Sequence, residues 1–511
     1  MPHISITAAE TPHKPAFIMA NSGEMVTYGE LEARSNQIAH LFRLCGLKSG
    51  DHVAIMVENC RQFLEITTGA MRSGIIFTPI STHLKEDETA YILENCGAKL
   101  FVASHSLASV AVHMIGSAAA LKHFYMIGGI EEGFLSWEET VDTLPITAID
   151  DQSMGTTMLY SSGTTGKPKG VYNKPYTEVF DEPLPLTLSL GAAFGFGPET
   201  TYLSPAPLYH AAPLHYNMVV LDTGGTSIIM EKFNALRALE LIEEHRITHS
   251  QWVPIMFVRM LKLPEAQRTQ FDTSSMQMAI HAAAPCPIDV KEQMIDWWGP
   301  VILEYYSSSE GAGFTLIDSN DWLNHKGSVG RPLFGVPHVL DEEGNELPAG
   351  EVGGIWFSDI ANKFEYHNEP DKTAEAYNKD GWTSVGDMGY LDEEGYLYLT
   401  DRKNFTIISG GVNIYPAEIE NLLINHAKVA DVAVFGVPCD EFGETVQAVV
   451  QPANWGDATD ETALELKEWL QERLSHIKIP RNLDFMEQLP RMDNGKLYKR
   501  HLMEAYRNKN T

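Results

Sequence analysis

TYGELEARSNQIAHLFRLCGLKSGDHVAIMVEN, Thr27 to Asn59, reads as one complete helix–strand unit. Thr27 and Glu30 form a T-x-x-E capping box, and Leu31, Ile38, Leu41 and Phe42 then recur at helical spacing. Gly46 stops the helix, and DHVAIMVEN, Asp51 to Asn59, is an apolar run of strand length. Working outward, YILENCGAKLFVAS (Tyr91 to Ser104) and ALELIEEHRITHSQWVP (Ala238 to Pro254) repeat helix followed by strand. Alternation of this kind predicts an α/β fold with layered, largely parallel sheets and helices.

Near residue 340 the texture changes. VLDEEGNELPAGEVGGIWFS and GYLDEEGYLYLTDRKNFTIISGG are short alternating runs broken by acidic-Gly turns, as in antiparallel hairpins. The acidic run from Asp341 to Glu346 is then a solvated hairpin tip. After Asp401 the segments shorten: EIENLLINH as a helix, VADVAVFGVP as a strand, TALELKEWLQERLSH as a helix. A boundary at Asp401 divides the chain into a large N-terminal domain of several subdomains, residues 1–400, and a small α+β domain, residues 401–511.

Acidic side chains number 68 against 37 basic ones, a formal charge of −31. Such a surface repels nucleic acid and anionic lipid. It also repels anionic small substrates, so a site for them needs local lysines, backbone N–H groups and a divalent cation. The start, MPHISITAAETPHKP, lacks a basic stretch followed by an apolar one, and no apolar run is long enough to span a bilayer. The five cysteines are scattered without a CxxC pair. A reduced cytoplasmic protein without integral membrane association is the expectation.

The densest chemical signal is YSSGTTGKPKG, Tyr160 to Gly170, in which every residue but Tyr160 and Pro168 is Gly, Ser, Thr or Lys. Its hydroxyls, amides and ammonium groups are donors for phosphate oxygens. It is not a Walker A loop, since Gly163 and Gly166 are too close and Pro168 follows Lys167 where Ser or Thr opens a helix. His245 and His249 have i,i+4 spacing, but no HExxH glutamate follows, and His245 reads as a helix C-terminal cap. Cys286 has no basic partner in sequence and reads as a packing residue.

The loop resembles the phosphate-binding signature of the adenylate-forming superfamily, which includes acyl-CoA synthetases, luciferases and peptide-synthetase adenylation domains. EYYSSSEG, Glu304 to Gly311, resembles the segment whose aromatic ring stacks on adenine and whose Thr-Glu pair addresses phosphate and Mg²⁺, with Ser309 in place of Thr. SVGDMGYLDEEGYLYLTDRK, Ser384 to Lys403, resembles the stretch where an Asp holds the ribose and an Asp-Arg pair forms the hinge; Asp387, Asp401 and Arg402 match. ISGGVNIYPAEIE, Ile408 to Glu420, is similar to the loop lining the pantetheine tunnel, and PRMDNGK, Pro490 to Lys496, to the tail motif that ends in the mobile catalytic lysine. These motifs follow in the family's order over nearly the whole chain, with the closest likeness to bacterial fatty-acid and steroid-acid CoA ligases.

The resemblance implies an acid–thiol ligase that uses ATP and Mg²⁺ to form an acyl-adenylate and passes the acyl group to coenzyme A. Lys496, Glu310 and the gate residue His210 are the implied catalytic residues, with Glu310 on the metal. Ser161, Ser162, Gly163, Thr164, Thr165, Gly166 and Lys169 are the implied phosphate contacts. Glu304, Tyr305, Tyr306, Ser309, Asp387, Arg402, Gly410 and Gly411 complete the nucleotide and coenzyme A set. Tyr209, His281, Ala282, Ala283 and Ala284 border the implied acid pocket. The small alanines and nearby tyrosines suit a medium or long fatty acid or a bulky cyclic acid, whereas acetate would leave a cavity. The C-terminal domain is expected to be mobile about Asp401, and a homodimer is compatible with the reading. Alternatives are an enzyme loading a carrier protein, a luciferase-like oxygenase and a catalytically dead binding protein. Intact Glu310, Asp387, Arg402 and Lys496 oppose the last. Two departures from the family pattern stand out: VYNKPYTE from Val171, and Phe405 where relatives carry an acidic residue.

Overall fold

The computed structural model describes residues 4–161, 167–172, 180, 185–360, 363–402, 405–410, 412–439, 442–491 and 497–509. The chain divides into two compact units, Met1–Gln251 with Pro264–Ala279 and Asn362–Glu375, and Trp252–Leu263 with Ile280–Ala361 and Ala376–Thr511.

In the first unit the expected helix spans Tyr28–Leu44, and the Thr27–Glu30 capping box is formed reciprocally. Such a cap contributes about 1 kcal/mol by satisfying backbone N–H groups that the first turn leaves open. Gly46 follows the helix at φ +76°, a left-handed conformation that favours glycine. The chain then enters the strand His52–Met56, whose last four residues are buried. That strand lies between Ile76–Pro79 and Leu100–Ser104, parallel to both. The sheet extends through His123–Ile127 and Leu135–Ser136 on one side and Thr156–Ser161 on the other, again in parallel. Lys169–Tyr172 and Glu365–Tyr366 close the latter edge as antiparallel strands. A second sheet pairs Pro15–Met19, Thr226–Ile229, Thr201–Ser204 and His249–Trp252 in parallel, with Met25–Thr27 antiparallel at its edge. The helix Ala235–Glu244 ends with His245 at its C-cap, as its sequence predicts. Both ring nitrogens of His249 are engaged, by Thr248 Oγ1 at 2.8 Å and the Phe194 carbonyl at 3.0 Å.

The second unit is antiparallel where the acidic-Gly turns foretell it. Its sheet runs Val336–Leu340, Gly353–Ser358, Asp387–Leu391, Leu397–Arg402, Ser328–Phe334, Phe314–Asp318, Ile302–Ser307. The antiparallel region thus begins at Ile302, earlier than the change of texture near residue 340 suggests. Its first strand is not legible as one, because the three serines of EYYSSSEG break the apolar alternation. The Asp341–Asn345 turn is an exposed tip closed by the Asn345 N–H on Asp341 Oδ1 at 2.8 Å.

Beyond Arg402, the long strands Val429–Cys439 and Gly443–Pro452 form the centre of a small sheet. Ile407–Ser409, Val412–Ile414 and Asn482–Phe485 complete it. The helices Pro416–Leu423, Asp460–Gln471 and Lys499–Lys509 accompany it. Phe435, Val437, Val449, Leu489 and Leu502 share a core there. The helix from Asp460 ends at Gln471, five residues before the predicted run does, and His476–Lys478 is a separate 3-10 turn. Lys262 donates to the carbonyls of Ile424 (3.2 Å) and Val429, while Asn425 donates to Asp289 Oδ2 at 2.7 Å. Among the described residues, no helix is long and apolar enough to cross a membrane.

Candidate active site

In the second unit the EYYSSSEG residues form the strand Ile302–Ser307 and the turn after it. Ser309 is exposed and Glu310 is buried. The Gly311 N–H closes the turn on the Ser308 carbonyl at 3.0 Å, and Gly311 has φ +69°. Ser308 Oγ is buried without a hydrogen-bond partner among the described residues. Ser307 Oγ donates to the Gly313 carbonyl at 2.8 Å. A Cβ at Gly313 would lie 2.3 Å from the Phe357 ring, so only glycine passes there.

Tyr305 and Tyr306 point to opposite sides of their strand, as the pleat requires. Tyr305 stacks on Phe314 with ring centroids 4.9 Å apart and an interplanar angle of 4°. Tyr306 donates its hydroxyl to Asp387 Oδ2 at 2.7 Å. Asp387 opens the strand Asp387–Leu391, and its register partner on Leu397–Arg402 is Arg402. Three expected nucleotide contacts are therefore adjacent in space: Tyr306, Asp387 and the backbone of Arg402. Asp401 Oδ2 in turn accepts the Ala417 N–H at 3.3 Å, within the first turn of Pro416–Leu423.

Glu304, grouped with those contacts in sequence, turns its carboxylate inward. It is 4% exposed, and its Oε2 lies 2.6 Å from Lys291 Nζ. Lys291 is itself fully buried on the helix Ile288–Trp298, with its ammonium 4.7 Å from the Trp322 ring centroid. His281 Nε2 approaches the same Glu304 oxygen at 3.6 Å, and neither ring nitrogen of His281 has a hydrogen-bond partner among the described residues. Burial, and then the Lys291 charge, hold His281 well below the usual histidine range, so it is neutral. Burial pushes the Glu304 carboxyl up, and Lys291 opposes that shift. Sequence reading missed Lys291, because a lysine inside an amphipathic helix carries no motif.

Ala282 is buried and its N–H donates to the Trp252 carbonyl at 3.3 Å, whereas Ala283 and Ala284 are exposed. Ala283 has φ +76°, a strained value for a residue with a Cβ. Burial pushes the Cys286 thiol up, which suits an inert side chain.

In the first unit the phosphate-loop stretch is carried by two antiparallel strands paired Tyr160 to Gly170 and Ser161 to Lys169. Lys169 holds its ammonium 4.5 Å from the Tyr366 ring centroid, and Lys167 lies 4.7 Å from that of Tyr91. Tyr160 donates to Asn95 Oδ1 at 2.5 Å. Ser162, Gly163, Thr164, Thr165 and Gly166 lie outside the described residues, as does the side chain of Ser161. Tyr209 and His210 pack ring against ring at 4.5 Å, and His210 is the N-cap residue of the helix Ala211–Asp222. One turn on, His215 Nε2 lies 3.4 Å from Thr157 Oγ1, on the strand that leads into the loop. Burial lowers the His215 pKa to about 4. The sequence carries no signal for His215, a half-buried histidine in an apolar helix.

In the C-terminal part, Gly410 has φ +56° and its N–H donates to the Phe442 carbonyl at 2.9 Å. Gly411 and Lys496 lie outside the described residues. The residues flanking the lysine segment are anchored: Arg491 pairs with buried Asp431 through two guanidinium nitrogens, and Lys499 with Glu420 at 2.7 Å. Lys499 also lies 5.4 Å from the Phe405 ring, which gives the unusual Phe405 a cationic neighbour.

Residues 4–362 match the AMP-binding enzyme family and residues 418–496 match the AMP-binding enzyme C-terminal domain. A long-chain-fatty-acid–CoA ligase of Mycobacterium tuberculosis is 30% identical over 98% of this chain and 97% of its own length. A fatty acid–[acyl-carrier-protein] ligase of Streptomyces coeruleorubidus is 31% identical, covering 98% and 95%. The ATP-bound structure of MatB from Rhodopseudomonas palustris superposes with a TM-score of 0.81 at 28% identity, covering 100% of both chains. With both family domains present in order and relatives matched end to end, the chain belongs to the AMP-binding enzymes, the adenylate-forming superfamily, and is an AMP-forming acid–thiol ligase.

Proposed function

We propose that this enzyme adenylates a hydrophobic carboxylic acid, a medium- or long-chain fatty acid or a bulky cyclic acid, and transfers the acyl group to coenzyme A. The observation that carries the nucleotide assignment is the Tyr306–Asp387 hydrogen bond beside the register partner Arg402, which gathers separate motifs at one place.

A carboxylate is a poor electrophile, so the acid first serves as nucleophile. Its oxygen attacks the α-phosphorus of ATP, the bond to the bridging oxygen of the β-phosphate breaks, and pyrophosphate leaves with that electron pair. Catalysis of such a step is mostly positioning and charge neutralisation. Ser161, Ser162, Thr164, Thr165 and Ser309 donate hydroxyl hydrogen bonds to phosphate oxygens, and Lys169 and Lys496 place ammonium groups against the developing charge. Asp387 accepts from the ribose hydroxyls, and Tyr306 presents an aromatic face to the base. His210 and Tyr209 separate the nucleotide from the acid. Among the described residues no cluster of three or more metal-ligating side chains occurs. Mg²⁺ typically takes one or two carboxylates and otherwise phosphate and water, and the buried Glu310 carboxylate would hold it here. When bound, Mg²⁺ neutralises phosphate charge. In the second step the coenzyme A sulfur, having lost its proton, attacks the acyl carbon, the carbon–oxygen bond to phosphate breaks, and AMP leaves. Gly410 and Gly411 leave room for the pantetheine arm.

The small side chains at Ala282 to Ala284 favour a bulky apolar acid. The carrier-protein ligase among the relatives makes a carrier thiol the second reading. Pyrophosphate release over a panel of carboxylic acids, with and without coenzyme A, tests both. Turnover should rise from acetate to acids of medium and long chain or fused rings, and thioester should form on coenzyme A. Best activity on acetate ends the substrate assignment, and adenylate without coenzyme A thioester ends the acceptor assignment.

A further inference from the structure

The buried Lys291–Glu304 pair is used by no step above. Burying two charges is costly, and a pair of this kind seldom adds net stability over apolar residues of the same size. Its place in the fold gives it another use. Glu304 stands two residues before Tyr306 on one strand, so both side chains lie on the same face. The strand is therefore fixed at one point by Lys291 on Glu304 at 2.6 Å and at the next same-face residue by Tyr306 on Asp387 at 2.7 Å. Lys291 itself is held over the buried Trp322 ring, and the helix that carries it, Ile288–Trp298, is otherwise outside the motifs. Neutral His281 beside the pair adds no competing charge.

We propose that Lys291 is a positioning residue for the nucleotide half of the reaction, acting through Glu304 to set the position of Tyr306 against Asp387. The proposal rests on the reading of Tyr306 and Asp387 as nucleotide contacts. A charged pair is directional where an apolar contact is not: the 2.6 Å bond fixes the height of the strand above the helix, and a methionine would let it slide.

The test uses the full chain with Lys291→Met, Glu304→Gln and the double variant. Each is assayed for thermal midpoint and for the KM values of ATP and of the preferred acid. Lys291→Met leaves a buried carboxylate without its partner and lowers the midpoint. Should it fail to fold, Glu304→Gln and the double variant carry the test. The expected result is a double variant whose midpoint recovers while its ATP KM stays raised about tenfold and its acid KM is unchanged. A double variant with wild-type ATP KM overturns the proposal, because the pair then serves stability alone. An equal rise in both KM values overturns it as well. Tyr306→Phe and Asp387→Asn are measured alongside. If neither moves the ATP KM, the nucleotide reading itself falls, and the proposal with it. If they do and the Lys291 and Glu304 variants do not, only the proposal falls.

Discussion

The hydroxyl of Tyr306 donates to Asp387 Oδ2 at 2.7 Å, joining two motif segments 81 positions apart in the chain. If this bond orders the nucleotide contacts, Tyr306→Phe and Asp387→Asn should be non-additive. Each should lower kcat/KM for ATP in pyrophosphate exchange, and the double variant should lose less than the product, with a coupling of about 1 kcal/mol. Fully additive losses would mean that the two side chains act independently.

The proposed mechanism gives Lys496 and Gly411 different half-reactions. Lys496→Ala should abolish acyl-adenylate formation yet still convert supplied acyl-adenylate and coenzyme A to thioester. Gly411→Leu should do the reverse, releasing pyrophosphate while making little thioester, because its side chain crowds the pantetheine arm. Assaying both half-reactions in both variants decides the matter. Loss of the same half-reaction in each would exclude a rotation about Asp401 that serves the two steps in turn.

Ala283 occupies the left-handed region at φ +76° and is exposed. Ala283→Gly should therefore raise stability by about 0.5–1 kcal/mol, read as a higher urea midpoint, since the strain of the Cβ outweighs the added chain entropy. Unchanged or lower stability would show that the strain is relieved elsewhere. Its acid-chain-length profile, measured in parallel, reports whether the strained turn also shapes the pocket.

His215 is neutral in the fold because burial lowers its pKa to about 4, against 6.5 for a free histidine. Between those values the unfolded chain binds a proton that the folded chain refuses, so stability falls as pH drops from 6.5 towards 4 and the loss is complete below that. The linkage is on the order of 3 kcal/mol. Denaturant unfolding at pH 7.5, 6 and 5 should show a shallower decline for His215→Asn than for the wild-type chain. Parallel declines would place the histidine in water.

The sequence by itself determined the elements whose causes are local. The Thr27–Glu30 cap, the stop at Gly46, the His245 cap and the acidic hairpin tip at Asp341 are decided within a few residues by hydrogen bonds and backbone sterics. The motifs were legible for a related reason, since phosphate chemistry restricts a loop to Gly, Ser, Thr and Lys whatever surrounds it. Only the tertiary structure decided which of these residues meet. Nothing in EYYSSSEG says that Tyr306 reaches Asp387 and Glu304 reaches Lys291, because that depends on strand register, and a slip of one residue would turn both to the opposite face. Lys291 and His215 were invisible for the same reason. A lysine or histidine drawn out of water is defined by its desolvation and its partner, and both are properties of the packed chain rather than of any neighbouring residue in the sequence.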